Sequence, residues 1–143
     1  MRTLVSIFIL FVLFFFPFTS SSQTLKLVVE KIKEDKGQIL ISIFNREKGF
    51  PYLSGGSIKT YSLAPASGKV LLEVNDIHTG VYAIAFFQDI DGNKKITTNK
   101  VGIPKEGYGF SNNAMGMFGP PSFKDASFRF SRDTTIVVRM KYF

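Results

Sequence analysis

The sequence predicts an all-β protein, an antiparallel β-sandwich of about seven strands preceded by a signal peptide. Three observations favour it: apolar and polar residues alternate in short runs after residue 24, turn-forming clusters of Gly, Pro, Asn and Asp separate the runs, and no run there has the period of a helix. Two sheets of such strands can bury their apolar faces against each other. We place this single domain at residues 23–143.

The first 22 residues have the pattern of a secretion signal. A positive start at Arg2 precedes an apolar run over residues 4–18, and three serines end at Ser22. The run is shorter than the roughly 20 apolar residues of a membrane-spanning helix. We therefore expect cleavage after Ser22, with an uncleaved anchor as the alternative. The protein would be exported, and would be periplasmic, outer-membrane-associated or extracellular.

The strands are predicted in chain order from their alternation. Leu25, Leu27 and Val29 share one face of the first strand. Residues 81–87 are apolar on both faces, which predicts a central strand. In the last strand, Ile136, Val138, Met140 and Tyr142 point inward, whereas Val137, Arg139 and Lys141 point outward. The predicted strands are residues 25–30, 39–45, 58–63, 69–74, 81–87, 127–130 and 135–142.

Charge and cysteine content exclude several function classes. The chain has a net charge of +7, but its basic residues are scattered and form no run, which favours a solvated surface and predicts no nucleic-acid partner. The chain has no cysteine. Disulfides, thiolate metal sites, a Cys nucleophile and lipid attachment through a lipobox are therefore excluded.

The loop after the central strand has the oxygen spacing of a cation site. Side-chain oxygens recur at Asp89, Asp91, Asn93 and Thr97, and the carbonyl of Lys95 occupies a position where an EF-hand loop uses a backbone oxygen. Ca²⁺ is bound by six to eight such oxygens. The loop is therefore a candidate Ca²⁺ site.

Two residues of this loop oppose the Ca²⁺ interpretation. Lys94 occupies the sixth position, where such loops use Gly, and Lys100 occupies the twelfth, where they use an acidic residue. The alternative is a hairpin, in which Asp and Asn side chains accept hydrogen bonds from the backbone of an Asp-Gly turn.

A second candidate surface is the long segment over residues 102–123. It is rich in Gly, Pro and aromatic residues, and a long irregular segment in a compact domain is typically functional or disordered. Its candidate ligand contacts are Tyr108, Phe110, Asn112, Asn113 and Phe118. The rings could stack against a glycan, a peptide or a cell-wall polymer. Alternatively, they fold back and cap one end of the sandwich.

Several segments resemble a known bacterial family. Gly80–Ala83, Asp89–Thr97, Gly102–Asn113 and Gly119–Ala126 are similar to the exported family catalogued as domain of unknown function 2141. The resemblance implies a signal-bearing envelope protein of Gram-negative bacteria with no assigned reaction. In that family Gly stands at the position of Lys94 and Asp at that of Thr97, so this chain departs from the family's cation loop at both positions.

The element Gly80-Val81-Tyr82 also resembles the tyrosine corner of immunoglobulin-like and transthyretin-like sandwiches. In that corner the phenol donates a hydrogen bond to a nearby backbone group. The resemblance implies a sandwich of one of these two types.

Catalysis has little support in the sequence. His78 is the only histidine, and Asp89 with Asp91, or Glu106 with Asp125, are the carboxylate pairs that could act together. A non-catalytic binding or structural module fits better. A small outer-membrane-associated β protein is the third class, which the short predicted strands oppose because a membrane-crossing strand needs roughly 9 to 11 residues.

Overall fold

The computed structural model describes residues 23–52, 55–66 and 68–143. The signal peptide predicted at residues 1–22 and its cleavage after Ser22 lie outside these residues. Within them the chain forms eight strands, a 3-10 turn and one helix. The bounds are β1 Leu25–Ile32, β2 Gln38–Phe44, β3 Lys59–Leu63, β4 Gly68–Val74, β5 Gly80–Asp89, β6 Tyr108–Phe110, β7 Phe128–Phe130 and β8 Thr134–Arg139, with the 3-10 turn at Ser111–Asn113 and helix α1 at Phe123–Ala126. None of the helical segments described is long and apolar enough to cross a membrane.

The strands form two sheets, as the sequence predicts. One sheet has three strands in the order β4-β1-β8, and the other has β3-β2-β5, with β6 and β7 both pairing with β5. The paired strands are antiparallel except β1 and β8, which are parallel over six residue pairs. The sequence predicts antiparallel pairing alone. The difference arises because the chain leaves the larger sheet after β7 and enters the smaller one as β8, beside β1.

Apolar side chains of both sheets meet in the main core. Leu25, Leu27 and Val29 of β1 are fully buried, as their alternation predicts. They pack in one cluster with Ile39, Ile41, Ile43, Ile84, Phe86, Phe130 and Val138, among others. Full burial of one such side chain contributes about 1.5–3 kcal/mol. This core holds the two sheets together.

A second, smaller core lies on the outer face of the larger sheet. Strand β5 is buried on both faces, as predicted for a central strand. Its residues Ala83 and Ala85 face away from the main core and are covered by Phe110 and Ala126. Alanine at both positions leaves room for the covering chain. The segment that follows β6 is thus packed against the sheet.

Strand β6 is absent from the predicted set because it has no alternation to detect. It has three residues with Gly109 at its centre. A Cβ at position 109 would lie 2.4 Å from Cζ of Phe86, so a larger residue does not fit there without movement. Helix α1 is a single turn, started by Ser122, whose Oγ accepts the N–H of Asp125 at 3.1 Å.

Candidate functional site

The two predicted surfaces occupy different parts of the sandwich. We call residues 89–97 the acidic loop and residues 107–126 the platform segment. The acidic loop continues beyond the end of β5. The platform segment instead runs back along β5, since Tyr108 pairs with Phe87 and, after the segment, Phe128 pairs with Tyr82. The two do not form one continuous loop surface.

The acidic loop wraps around the carboxylate of Asp89. This residue ends β5 and is buried. Its Oδ1 accepts the N–H groups of Gly92 and Asn93 at 3.0 and 3.1 Å, and its Oδ2 accepts that of Lys94 at 3.0 Å. Gly92 and Lys94 both have positive φ, which turns the chain back toward Asp89. The hairpin alternative predicts such side-chain acceptance, but the next strand to pair with β5 is β6 at Tyr108–Phe110, so the Asp91-Gly92 turn does not join two paired strands.

Three further predicted residues meet above Asp89. Oδ2 of Asp91 accepts hydrogen bonds from Thr97 Oγ1 and Asn93 Nδ2, each at 2.8 Å. The hydrogen bond from Thr97, followed by that from the Asn93 N–H, holds the pKa of Asp91 below its ordinary value of 3.8 because both favour the charged carboxylate. Lys95 donates its N–H to Oδ1 of Asn93 at 2.7 Å. Every residue of the predicted set therefore belongs to one hydrogen-bonded cluster.

Glu106 completes this cluster from outside the loop. It is buried, and its two carboxylate oxygens accept the N–H groups of Ile90 at 2.9 Å and Thr97 at 2.8 Å. One carboxylate oxygen each of Glu106, Asp89 and Asp91 lie within 4.8 Å of one another. The predicted cation set omits Glu106. This residue comes nine positions after Thr97, outside the loop whose alternating oxygen-bearing residues predicted the site.

The platform segment is fastened to the sheets by side chains of the 3-10 turn. Buried Ser111 accepts the N–H of Ile84 at 2.9 Å and donates its hydroxyl to the carbonyl of Ala126. Asn112 Nδ2 donates to the carbonyls of Asp125 and Ser127. These bonds tie the start of the segment to β5 and to helix α1.

Asn113 fastens the same segment to the smaller sheet. Its Oδ1 accepts the N–H of Arg139 in β8 at 2.8 Å. Asn112 and Asn113 both have positive φ, a conformation that Asn tolerates better than most residues. The two asparagines predicted as ligand contacts thus bind the protein's own backbone.

Two of the predicted aromatic contacts pack against the protein. Phe110 is buried, and its ring centroid lies 6.0 Å from that of Phe50 and 5.9 Å from that of Tyr108. Tyr108 is half-buried and stacks on Phe143 at 6.0 Å, and burial raises its pKa. Phe50 also contacts Phe123 at 5.8 Å. These rings fold back on the protein, as the alternative interpretation predicts, but they cover the outer face of the larger sheet and not one end of the sandwich.

Among the predicted aromatic contacts, Phe118 is the one that the protein presents to solvent. Its exposed fraction is 98%, and that of the neighbouring Met117 is 89%. Both lie in a tight turn, since a Cβ at Gly116 would lie 2.3 Å from the carbonyl oxygen of Gly119. Residues 107–123 contain no Lys, Arg, Asp, Glu or His. We call residues 116–120 the tip.

Of the other titratable residues considered for catalysis, Asp125 and Glu106 have structural partners for their side chains, whereas the contact of His78 is made by its backbone. The carbonyl of His78 accepts the hydroxyl of Tyr82 at 2.7 Å, which is the hydrogen bond expected of a tyrosine corner. Asp125 lies in α1 and accepts the hydroxyl of Ser122 at 2.6 Å. Glu106 instead joins Asp89 and Asp91. The structure therefore brings Glu106 together with the acidic loop and leaves Asp125 in the platform segment.

Comparison with known proteins agrees with the resemblance in the sequence. Residues 27–137 match a family described as uncharacterized protein conserved in bacteria (DUF2141). No curated protein and no solved structure matches the chain. The matched range includes the acidic loop, Glu106 and the platform segment with its tip. Since it covers most of the chain, this protein belongs to the bacterial family DUF2141.

Proposed function

We propose that this protein is a non-catalytic binding module of the cell envelope that contacts its ligand through the tip. The observation that carries the proposal is the exposure of Phe118 and Met117, at 98% and 89%. Single exposed apolar residues are common on protein surfaces. Two adjacent ones, almost fully exposed on a loop with a fastened base, indicate a contact surface.

The fastened base favours binding because it fixes both ends of the loop before the ligand arrives. Ser111 and Asn112 hold the start of the platform segment, and the ring of Phe123 packs against Phe50 just after the tip. Ordering a flexible loop on binding costs free energy for each side chain that is immobilised. A tip that is held on both sides loses less freedom on binding and avoids part of that cost.

The chemistry of the tip favours an uncharged contact on the ligand. Charged side chains are absent from residues 107–123, and the phenyl ring of Phe118 offers flat apolar area. Such area packs against the apolar face of a sugar ring or against an apolar side chain. The ligand classes are a glycan, a peptide or a cell-wall polymer.

A ligand array tests the tip directly. The mature chain, residues 23–143, is compared on glycan, peptide and cell-wall polymer arrays with a Met117→Ala, Phe118→Ala double variant. Val101→Ala is the matched control because Val101 is 79% exposed and lies outside the platform segment. We expect the double variant to lose binding and the control to keep it. Equal binding by all three proteins would remove the tip from the proposal.

Export is the second component of the proposal, supported by the signal pattern of residues 1–22. Cell fractionation and N-terminal sequencing test it, and we expect a mature protein that begins at Gln23 outside the cytoplasm. A cytoplasmic protein that retains residues 1–22 would contradict export. Extraction without detergent distinguishes the outer-membrane-associated alternative, in which the protein would stay with the membrane pellet.

Ca²⁺ binding by the acidic loop is a second candidate function. It is favoured by the convergence of three carboxylates, Asp89, Asp91 and Glu106, within 4.8 Å. Each carboxylate already accepts N–H groups of the loop, so the cluster is also complete as a structural element. Thermal unfolding in Ca²⁺ and in chelator decides between these roles, because a ligand of the native state raises the midpoint. An unchanged midpoint at millimolar Ca²⁺ would eliminate this function.

A further inference from the structure

The outer face of the three-stranded sheet carries nine side chains in three rows. Val28 of β1 is paired with Leu71 of β4 and with Val137 of β8, so these three residues form one row across the sheet. Two residues away on either side, the same pairing generates two polar rows. The rows are Glu73-Lys26-Thr135, Leu71-Val28-Val137 and Lys69-Glu30-Arg139.

The middle row is an apolar stripe that reaches solvent. Leu71 is 56% exposed and Val137 is 46% exposed, with Val28 half-buried between them. Strands lie about 4.8 Å apart and alternate residues about 6.7 Å apart, so the three rows cover a patch of roughly 10 by 13 Å. The stripe crosses the patch at its centre and has charged residues on both sides.

The two polar rows have opposite charges at two of their three matching positions, and at the third, on β8, Thr135 corresponds to Arg139. On β4, Glu73 of one row corresponds to Lys69 of the other, and on β1 Lys26 corresponds to Glu30. If a second copy is generated by a twofold rotation about an axis along the apolar stripe, each polar row of one copy lies opposite the other polar row of the second copy. A face with this pattern is complementary to itself in that orientation.

We propose that this face binds a second copy of the chain through a twofold axis along the stripe. Glu73 then lies opposite Lys69 of the second copy, Lys26 lies opposite Glu30, and the apolar row packs on its own counterpart. A twofold axis along the strands would instead place Lys26 on Lys26 and Glu30 on Glu30. The charges therefore select one of the two arrangements.

The size of the patch determines how tightly the dimer binds. An interface of this area buries well under the roughly 1,200 Å² of a stable complex, so the dimer is weak and forms at high local concentration. Strand addition at the neighbouring β8 edge is less available, since Asn113 already occupies the N–H of Arg139. β4 forms the other edge of this sheet, so the choice of a contact between faces depends on the charge pattern of the rows.

Charge reversal tests the arrangement without touching the core. Sedimentation equilibrium of the mature chain is measured over a concentration series up to the millimolar range. Lys69→Glu and Glu73→Lys, each alone, place like charges at two symmetry-related contacts, and we expect the dissociation constant to rise about tenfold or more in both. The double variant Lys69→Glu, Glu73→Lys restores opposite charges and retains dimerisation.

Mixing the two single variants is the sharpest form of the test. A chain with Lys69→Glu and a chain with Glu73→Lys are complementary to each other, so the mixture associates more tightly than either variant does alone. Thermal unfolding of each variant checks that the fold is intact, which we expect because Lys69 and Glu73 are both on the solvent side of the sheet. Leu71→Ser weakens the dimer in every background.

Other results would overturn the proposal. A wild-type chain that remains monomeric at millimolar concentration, single variants that dimerise like the wild type, or a mixture that fails to associate would each contradict it. A dimer abolished by Phe118→Ala and unchanged by Lys69→Glu would assign self-association to the tip. Binding of a different protein to this face, without any binding of a second copy of the chain, would also contradict the proposal.

Discussion

Ser111 connects three parts of the chain through one buried hydroxyl. Its Oγ accepts the N–H of Ile84 in β5 and donates to the carbonyl of Ala126 in α1. The residue is fully buried, so water cannot replace these bonds without opening the structure. The position of the platform segment on the sheet depends on this side chain.

We expect Ser111→Ala to lower the free energy of unfolding by about 1–3 kcal/mol, because it leaves a buried donor and a buried acceptor without their partner. Urea unfolding of the mature chain measures this change. Ser131→Ala, at an exposed position, is the matched control and should change stability by about 0.5 kcal/mol or less. Equal stability of the two variants would show that Ser111 does not hold the segment.

Asp91 makes the acidic loop sensitive to acid. Its hydrogen bonds, from Thr97 first, lower its folded-state pKa below the ordinary 3.8. A depressed folded pKa contributes stability above the unfolded pKa, and that contribution is lost as pH falls below 3.8 through the folded value. The pH window for this effect therefore begins near 3.8 and extends downward.

The variant Asp91→Asn tests whether the charge of Asp91 stabilises the protein in this pH range. We expect the variant to unfold at a lower temperature than the wild type at neutral pH, and the difference to shrink as pH falls below 3.8. Thermal unfolding followed by circular dichroism between neutral and acidic pH measures it. Asp35→Asn, at an exposed position before β2, is the control. A difference that stays constant through the acidic range would contradict the role assigned to the Asp91 charge.

At the scale of elements, β6 shows how a short strand is fitted to its neighbour. Gly109 lies against Phe86, whose ring leaves no space for a Cβ, and the chain can therefore pair closely with β5. After β6 the chain continues into the 3-10 turn and then the tip. The pairing of the three β6 residues with β5 therefore determines where the platform segment begins on the sheet.

Gly109→Ala should destabilise the protein by about 1–3 kcal/mol, since the new Cβ would overlap Phe86. A double-mutant cycle with Phe86→Leu measures whether the clash is the cause. In that background, where the ring is replaced by a shorter side chain, we expect the cost of Gly109→Ala to be smaller. The same cost in both backgrounds would attribute the effect to the backbone instead.

At the scale of the whole molecule, the alternation of side chains predicts most strands but not their pairing. β1, β4 and β5 are recognisable because one or both of their faces are buried, whereas β6 has only three residues around a glycine. The parallel pairing of β1 with β8 depends on contacts more than 100 residues apart in the chain, which local periodicity does not encode.

The candidate sites were predictable to different extents. The oxygen spacing of the acidic loop identified residues that do meet in space, and the distant Glu106 was missed. In the platform segment, composition identified five candidate contacts without separating buried from exposed ones. Only packing does so: Phe110 lies over Ala85, and Phe118 is directed to solvent.

The fastened platform segment holds Phe118 in water, as the proposed binding role requires. The chain has no tryptophan, so Phe118→Trp introduces a single indole at the tip, which can be excited at wavelengths that its tyrosines do not absorb. Acrylamide quenching of its emission tests the claim most directly. We predict the emission and the quenching of a fully hydrated indole in the free protein, followed by a blue shift and protection when a ligand from the array is added. A blue-shifted, protected indole in the free protein would contradict the account.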